Sequence, residues 1–364
     1  MLYCTDKFID SDLKFCALST SKGMIANMKG LIINKNREID VMEVNEPQIC
    51  SECDVKIEVK YSGICGTDLQ MLKGNMECTS SIVRGHEAVG IVVEVGPNVK
   101  NVKVNDRVVI DPNQYCGKCH YCKNGQTNFC IGDNGKLAIA GVNKTGLFAK
   151  YFVCDETFVH KIPDNLSFGA AVLVEPLACV LHNIKAAKIQ PEESVLIIGA
   201  GPMGVLSQMV CKRIARLTVS VEKNDFRKNF SKEIADYVYY PEELTEEVSR
   251  INMDRKFDVI IDSVGNQMEL CEDMIEKDGR IILLGIDPSY NFKFNPAYYQ
   301  GNGIRIIGAG EYNLLFEKAI KYATKLDGLE KLVTKKYPIE DAKEAFQELL
   351  SNNMESMKTV FEFK

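Results

Sequence analysis

Length, composition and charge place the chain among ordinary globular proteins. It has 364 residues, of which 46% are hydrophobic and 26% charged, enough for two domains with buried cores. The formal net charge of -6 argues against nucleic-acid or anionic-membrane binding, which need basic surface. No apolar run approaches the roughly 20 residues that cross a bilayer, and the N-terminal sequence lacks a signal region. We therefore expect a cytoplasmic protein with reduced cysteines.

The first part of the chain is predicted to be rich in β-strands. Residues 1–27 have no clear periodicity and are interpreted as an N-terminal extension. From there to about residue 175, segments such as VKIEVKYSG (55–63) and AVGIVVEVG (88–96) alternate or carry runs of β-branched residues between glycines. Half-buried antiparallel strands have this pattern.

Three residues of this part form a candidate catalytic metal site. Cys65 lies in GICGTD, His86 in GHE, and Glu175 in the middle of the apolar run VEPLACV. A carboxylate there is costly to bury unless it is paired or bound to metal. One thiolate, one imidazole and one carboxylate leave the fourth position of a zinc ion open. Taken singly, a buried histidine or cysteine is more often a packing residue, but the set precedes a dinucleotide motif, which favours ligation.

Four further cysteines are crowded into CGKCHYCKNGQTNFC. They are Cys116, Cys119, Cys122 and Cys130. Thiolates at such short intervals suit a tetrahedral zinc with every position filled, which is the structural kind of site. A closed site has no vacancy for substrate, so we expect these cysteines to stabilise the fold and the chemistry to lie elsewhere.

Around residue 190 the pattern changes to apolar strands separated by helix-length segments. The predicted strands are SVLIIGAG (194–201), LTVSVE (217–222), FDVIIDSVG (257–265) and GRIILLG (279–285). Buried strands that alternate with helices indicate a parallel sheet covered on both faces. After GIRIIGAG (303–310) the pattern becomes mixed again. A β-rich domain is therefore predicted to be interrupted by an inserted α/β domain.

A glycine-rich turn follows the first of these strands: Gly199, Ala200, Gly201, Pro202, Met203 and Gly204. Gly199 permits the tight turn, Gly201 lets the backbone approach a pyrophosphate, and Gly204 allows close packing of helix and strand. Glu222, at the end of the second strand, would accept hydrogen bonds from the ribose hydroxyls and repel a 2′-phosphate, which favours NAD over NADP. The alternative is a glycine-rich turn that binds no nucleotide.

These motifs together resemble the zinc-dependent medium-chain alcohol dehydrogenases. The resemblance covers roughly residues 28–364 and rests on GHE-x2-G-x5-G, the four-cysteine segment and GAGPMG. It implies an α/β fold in which a GroES-like, β-rich catalytic domain (28–178 and 311–364) is split around a Rossmann domain (179–310). It also implies two zinc ions per chain, one catalytic and one structural, and a homodimer or homotetramer.

By that likeness Cys65, His86 and Glu175 correspond to catalytic-zinc positions. Glu87 lies beside the metal and in some relatives acts as a ligand, so the choice between the two glutamates stays open. Thr67 is the first candidate to carry the substrate proton away, and Asp68 to orient the imidazole of His86. Both could instead be local, Thr67 as a cap and Asp68 as a turn residue. Relatives often have a histidine where this chain has Gln70, which cannot titrate.

The expected activity is hydride transfer between NAD and a secondary alcohol of a polyol or sugar-like substrate. CGTD and VEPL together resemble the polyol, sorbitol and threonine dehydrogenase branch, so L-threonine 3-dehydrogenase is the alternative within the class. A hypothesis of another class is a non-catalytic, zinc-stabilised NAD sensor. The expected partner is a small-molecule alcohol, with no nucleic acid and no membrane.

Overall fold

The structure is a computed structural model that describes residues 26–132, 134–253, 255–351 and 355–364. All but the last two residues of the predicted extension 1–27 lie outside the described residues. The first strand begins at Asn27. None of the helices in the described ranges is both long and apolar enough to span a membrane.

The first part of the chain is β-rich, as predicted. Its strands are β1 (Asn27–Ile33), β2 (Ile39–Asn45), β3 (Asp54–Gly63), β4 (Glu87–Val95), β5 (Arg107–Ile110), β6 (Asn113–Gln114), β7 (Ala138–Ile139), β8 (Tyr151–Asp155) and β9 (Val159–Lys161). Its helices are α1 (Gly66–Lys73), α2 (His120–Lys123), α3 (Phe168–Ala171) and α4 (Val174–Ala187). β3 and β4 are long and pair antiparallel, with their apolar residues facing the core. The loops after β3 and before β4 carry Cys65 and His86, two of the residues predicted to bind the catalytic metal.

The second part is an α/β unit. Its elements are β10 (Ser194–Ile198), α5 (Pro202–Cys211), β11 (Leu217–Val221), α6 (Asp225–Ser231), β12 (Tyr237–Tyr239), α7 (Pro241–Ile251), β13 (Phe257–Asp262), α8 (Met268–Met274), β14 (Ile275–Leu283), α9 (Pro296–Asn302) and β15 (Arg305–Ile307). The six strands are parallel, in the order β12-β11-β10-β13-β14-β15. This is the strand order of a Rossmann sheet. Every residue of β10 and β11 is buried, as their unbroken apolar runs indicate.

The C-terminal part returns to the first sheet. Its elements are α10 (Phe316–Ala323), β16 (Val333–Tyr337), α11 (Ala342–Leu350) and β17 (Lys358–Glu362). β17 pairs antiparallel with β3 and parallel with β16, so the β-rich sheet has the order β16-β17-β3-β4-β5-β9, with β8 also on β3. A GroES-like β-rich domain split around a Rossmann domain, the predicted fold class, is therefore confirmed.

One buried apolar cluster joins the two sheets. It contains Val89 of β4 and Val360 of β17 on one side and Val195 of β10 on the other, with the apolar face of α4 between them. The predicted domain boundary at residue 178 falls within α4, and the exact boundaries stay a prediction. The same cluster contains Val89 near the start of β4, Val174 at the start of α4 and Ala200 of the glycine-rich turn. The predicted metal site and the predicted nucleotide site therefore adjoin one shared core.

Candidate active site

Three of the predicted site residues come together at the end of β3 and the start of β4. The ligand atoms of Cys65, His86 and Glu87 all lie within 4.8 Å of one another. Cys65 is the N-cap of α1, and its backbone N–H donates to Oδ2 of Asp68 at 3.0 Å. His86 and Glu87 are 6% and 1% exposed. The turn into α1 therefore positions the thiol against a buried imidazole and carboxylate.

Glu175 lies beside this group, in the first turn of α4. It is 7% exposed, and its Oε1 is 3.7 Å from Sγ of Cys179. Burial, and then repulsion from Glu87, raise the pKa of Glu175 to about 8. The geometry thus brings Glu87 into the group of three and leaves Glu175 as its neighbour. Both glutamates stay candidates for the carboxylate ligand, and a bound cation would reverse the direction of such a shift.

A buried lysine that the sequence reasoning missed pairs with Glu87. Lys358, the first residue of β17, is 3% exposed, and its Nζ forms an ion pair with Oε2 of Glu87. A Cβ at Gly63 would lie 2.3 Å from that oxygen and 2.8 Å from Cε of Lys358, so glycine is required there. The only signal in the sequence was a lysine opening the apolar strand KTVFEF, where an unpaired charge is costly to bury.

The residues predicted to handle the proton lie close to the group. Sγ of Cys65 donates a hydrogen bond to Oγ1 of Thr67 at 3.7 Å. Oδ1 of Asp68 is 4.0 Å from Nδ1 of His86, beyond hydrogen-bond distance. Gln70 accepts a hydrogen bond from Nδ2 of Asn75 at 2.8 Å. The roles of Thr67 and Asp68 therefore stay predictions.

The buried polar atoms of this site fit a divalent cation. Nδ1 of His86, Oδ1 of Asp68 and Oε1 of Glu87 have no hydrogen-bond partner among the described residues. Buried polar atoms are rarely left so, because each unsatisfied group costs free energy. A thiolate, an imidazole and a carboxylate are the donors that zinc takes in catalytic sites. The residues present are thus those that would hold a catalytic zinc.

The four-cysteine segment forms a second candidate metal site, which we call the cysteine lobe (residues 116–130). The sulfur atoms of Cys116, Cys119, Cys122 and Cys130 lie within 4.8 Å of one another. Backbone N–H groups donate to these sulfurs, for example Cys119 N–H to Sγ of Cys116 at 3.3 Å. Such bonds lower the pKa of Cys119 to about 6, which favours the thiolate that a metal binds. Four converging sulfurs fit a structural zinc.

The glycine-rich turn connects β10 to the N-terminus of α5. Gly199 has φ +88°, which favours glycine, and a Cβ at Gly204 would lie 1.9 Å from the Gly199 carbonyl oxygen. Pro202 is the first residue of α5, where its missing N–H costs nothing, and Met203 follows it. Glu222 is held at this turn, because its carboxylate accepts from the N–H of Ala200 at 2.7 Å and of Asn224 at 2.8 Å.

A positively charged side chain at this turn, that of Arg227, was also missed by the sequence reasoning. Nη1 of Arg227, a residue of α6, would lie 3.4 Å from a Cβ placed on Gly201. Its guanidinium therefore covers the backbone that is expected to approach the pyrophosphate. Its position five residues after Glu222 was the available signal.

Comparisons with known proteins agree with this architecture. The family model for the alcohol dehydrogenase GroES-like domain matches residues 51–164, and that for the glucose dehydrogenase C-terminus matches residues 169–363. The chain is 30% identical to sorbitol dehydrogenase of Bacillus subtilis (strain 168), over 92% of this chain and 97% of that protein. It is 31% identical to an L-threonine 3-dehydrogenase of Photorhabdus laumondii, over 88% and 95%.

Among solved structures, 2R,3R-butanediol dehydrogenase from Bacillus subtilis superposes with a TM-score of 0.81 at 25% identity, over 93% of this chain and 100% of that one. These relatives are dehydrogenases, which confirms the prediction that this chain is an enzyme. Their names differ in substrate, so they do not decide which substrate this chain takes. The specific substrate is open between the polyol and threonine alternatives. The chain belongs to the zinc-dependent medium-chain alcohol dehydrogenase family and is an oxidoreductase of its sorbitol and threonine dehydrogenase branch.

Proposed function

We propose that this chain oxidises a secondary alcohol of a polyol or sugar-like substrate, with NAD as the hydride acceptor. The observation that carries this proposal is that the ligand atoms of Cys65, His86 and Glu87 lie together, with Glu175 beside them. Nδ1 of His86 and Oε1 of Glu87 are buried and find no hydrogen-bond partner in the part of the chain that the structure describes. The relatedness to a sorbitol dehydrogenase supports the polyol. We include two zinc ions per chain, a cytoplasmic location and a homodimer or homotetramer as parts of the same proposal.

The residues of the site have different roles in the proposed reaction. Cys65, His86 and one of the two glutamates would hold a zinc ion, which as a Lewis acid lowers the pKa of a substrate hydroxyl. Thr67, next to the thiol, would accept the hydroxyl proton and pass it outward. Lys358 orients Glu87 through their ion pair. The cysteine lobe, by contrast, takes no part in the chemistry.

The choice of NAD rests on Glu222. Its carboxylate is held at the end of β11 by the two backbone N–H groups at the turn. A negative charge fixed there accepts bonds from the ribose hydroxyls and repels a 2′-phosphate. Arg227 supplies positive charge near Gly201, where a pyrophosphate would be expected.

The test is an assay of the zinc-loaded enzyme with NAD and, separately, NADP. Sorbitol, xylitol, 2,3-butanediol and L-threonine are offered in turn, and the absorbance of reduced nicotinamide is followed. We expect turnover with a polyol and NAD. Turnover with threonine alone would favour the second candidate, which the relatedness to a threonine dehydrogenase supports. Silence with every alcohol, from protein shown by elemental analysis to hold zinc, would refute the proposal.

A further inference from the structure

Residues 309–313, which we call the crossing segment, carry the chain from the Rossmann sheet back to the β-rich domain. The segment follows β15 at the carboxyl edge of the parallel sheet, the edge at which such sheets bind ligands. It also lies beside the helix that begins at the candidate active site. The carbonyl oxygen of Ala309 is 3.1 Å from Nε2 of His182 on α4, the helix whose first turn carries Glu175. Tyr312 belongs to the same buried apolar cluster as Val174 and Leu177 of that helix.

The crossing segment is hydrogen-bonded to the cysteine lobe. Oδ1 of Asn313 accepts from the backbone N–H of Thr127 at 3.1 Å and from its hydroxyl at 2.9 Å. Nδ2 of Asn313 donates to the carbonyl of Gly125 at 2.7 Å. In the other direction, Nδ2 of Asn128 donates to the carbonyl of Glu311 at 3.1 Å. All the lobe partners lie between the third and fourth cysteines.

Two further contacts hold the same segment. The hydroxyl of Tyr312 donates to Oδ1 of Asp111 at 2.8 Å, and both side chains are buried, at 3% and 8% exposure. A Cβ on Gly310 would lie 3.5 Å from the ring of Phe129, so this glycine faces the lobe at ordinary contact distance. The segment is thus held to the lobe through Asn313, and Tyr312 holds it to Asp111, which lies outside the lobe.

We propose that the cysteine lobe positions the crossing segment against the active site, with Asn313 as the positioning residue. This rests on the proposed function only in that the site beside the segment is the active one. The loop from Gly125 to Asn128 lies between Cys122 and Cys130, which a structural zinc would hold together. Asn313 is hydrogen-bonded to this loop, so the position of the loop would fix that of the crossing segment. A displacement of about 1 Å near reacting groups can lower the rate about 100-fold. The lobe therefore affects the turnover rate through the position of the crossing segment, without contacting substrate.

The test compares Asn313→Ala with Asn124→Ala, a matched control within the lobe. Nδ2 of Asn124 donates to the carbonyl of His120 within α2 itself at 2.9 Å. We expect Asn313→Ala to raise hydrogen exchange in a peptide covering residues 309–316 and to lower kcat/KM by about 10- to 100-fold, with both zinc ions retained. Asn124→Ala should match the wild type in both readouts. Asn313→Asp, which keeps the acceptor and loses the donor, should recover part of kcat/KM.

Thr127→Val is the second variant, should Asn313→Ala fail to fold. It preserves the side-chain shape and deletes one of the three hydrogen bonds of Asn313, so its exchange in residues 309–316 should rise by a smaller amount. Exchange as slow as the wild type in Asn313→Ala, or in Thr127→Val where Asn313→Ala does not fold, would overturn the proposal. An equal rise in Asn124→Ala would also overturn it, since the effect would then be general loosening of the lobe. Hydrogen exchange needs no substrate, so a wild type without turnover refutes only the proposed function.

Discussion

The carboxyl group of Asp111 should make the stability of this protein fall as the pH rises towards neutrality. The side chain is 8% exposed and accepts hydrogen bonds from the hydroxyl of Tyr312 at 2.8 Å and from the N–H of Asn113 at 3.0 Å. Burial nevertheless outweighs these bonds and raises the pKa of Asp111 from 3.8 to about 7. In the unfolded chain the same group titrates at its ordinary pKa.

The direction of the effect follows from proton linkage. Between about pH 4 and about pH 7 the folded protein keeps the Asp111 proton while the unfolded chain has released it. The unfolded state then binds fewer protons, so the free energy of unfolding falls as the pH rises, and the loss is complete above the folded pKa. A difference of about 3 pKa units, at about 1.4 kcal/mol per unit, corresponds to about 4 kcal/mol.

The perturbation is Asp111→Asn, which keeps an acceptor oxygen for Tyr312 and removes the ionisation. Urea unfolding would be followed by circular dichroism, since the chain has no tryptophan, from about pH 5 to about pH 8. Relative to the wild type, the free energy of unfolding of the variant should rise by about 3 kcal/mol across this interval. A difference between the two proteins that does not change with pH would refute the reasoning.

Asp106 provides a matched control at the other end of β5. Burial raises the pKa of Asp106, but the hydrogen bonds from Lys161, at 2.8 Å, and from the N–H of Lys103, at 3.1 Å, together with the charges of the two lysines, outweigh this, and the pKa is lowered. Its carboxylate is ionised in both folded and unfolded protein above about pH 5. The difference between Asp106→Asn and the wild type should therefore stay constant over the interval in which the Asp111→Asn difference grows.

Three further predictions concern the metal sites. Cys65→Ser should lower turnover more than about 100-fold while circular dichroism stays unchanged, because it would remove a ligand of the proposed catalytic zinc; normal activity would contradict the site assignment. Cys116→Ser should lose one of two zinc ions by elemental analysis and lower the melting temperature; unchanged zinc content would contradict a structural site at the lobe. Lys358→Met should lower the free energy of unfolding by about 3 kcal/mol, because it leaves Glu87 without its buried partner. Lys358→Arg, which keeps the charge, is its control in the same urea titration, and equal stability of Lys358→Met and the wild type would show that the pair contributes nothing.

The sequence by itself predicted the features that depend on local pattern. The apolar runs at 194–201 and 217–222 predicted β10 and β11, because strands buried on both faces tolerate few polar residues. GAGPMG predicted the turn before α5, because only glycine fits the backbone at Gly199 and Gly204. The spacing of the four cysteines predicted their convergence, since a short loop keeps its ends close.

Tertiary structure decided the features that join distant parts of the chain. Glu87 meets Cys65 because β4 pairs with β3, and Lys358 pairs with Glu87 because β17 returns to β3 from the far end of the chain. Asn313 meets Thr127 because the crossing segment passes the cysteine lobe. No periodicity or motif encodes the contacts of Lys358 and Asn313. They arise from which faces are buried together once the two sheets share one core, and that is a property of packing.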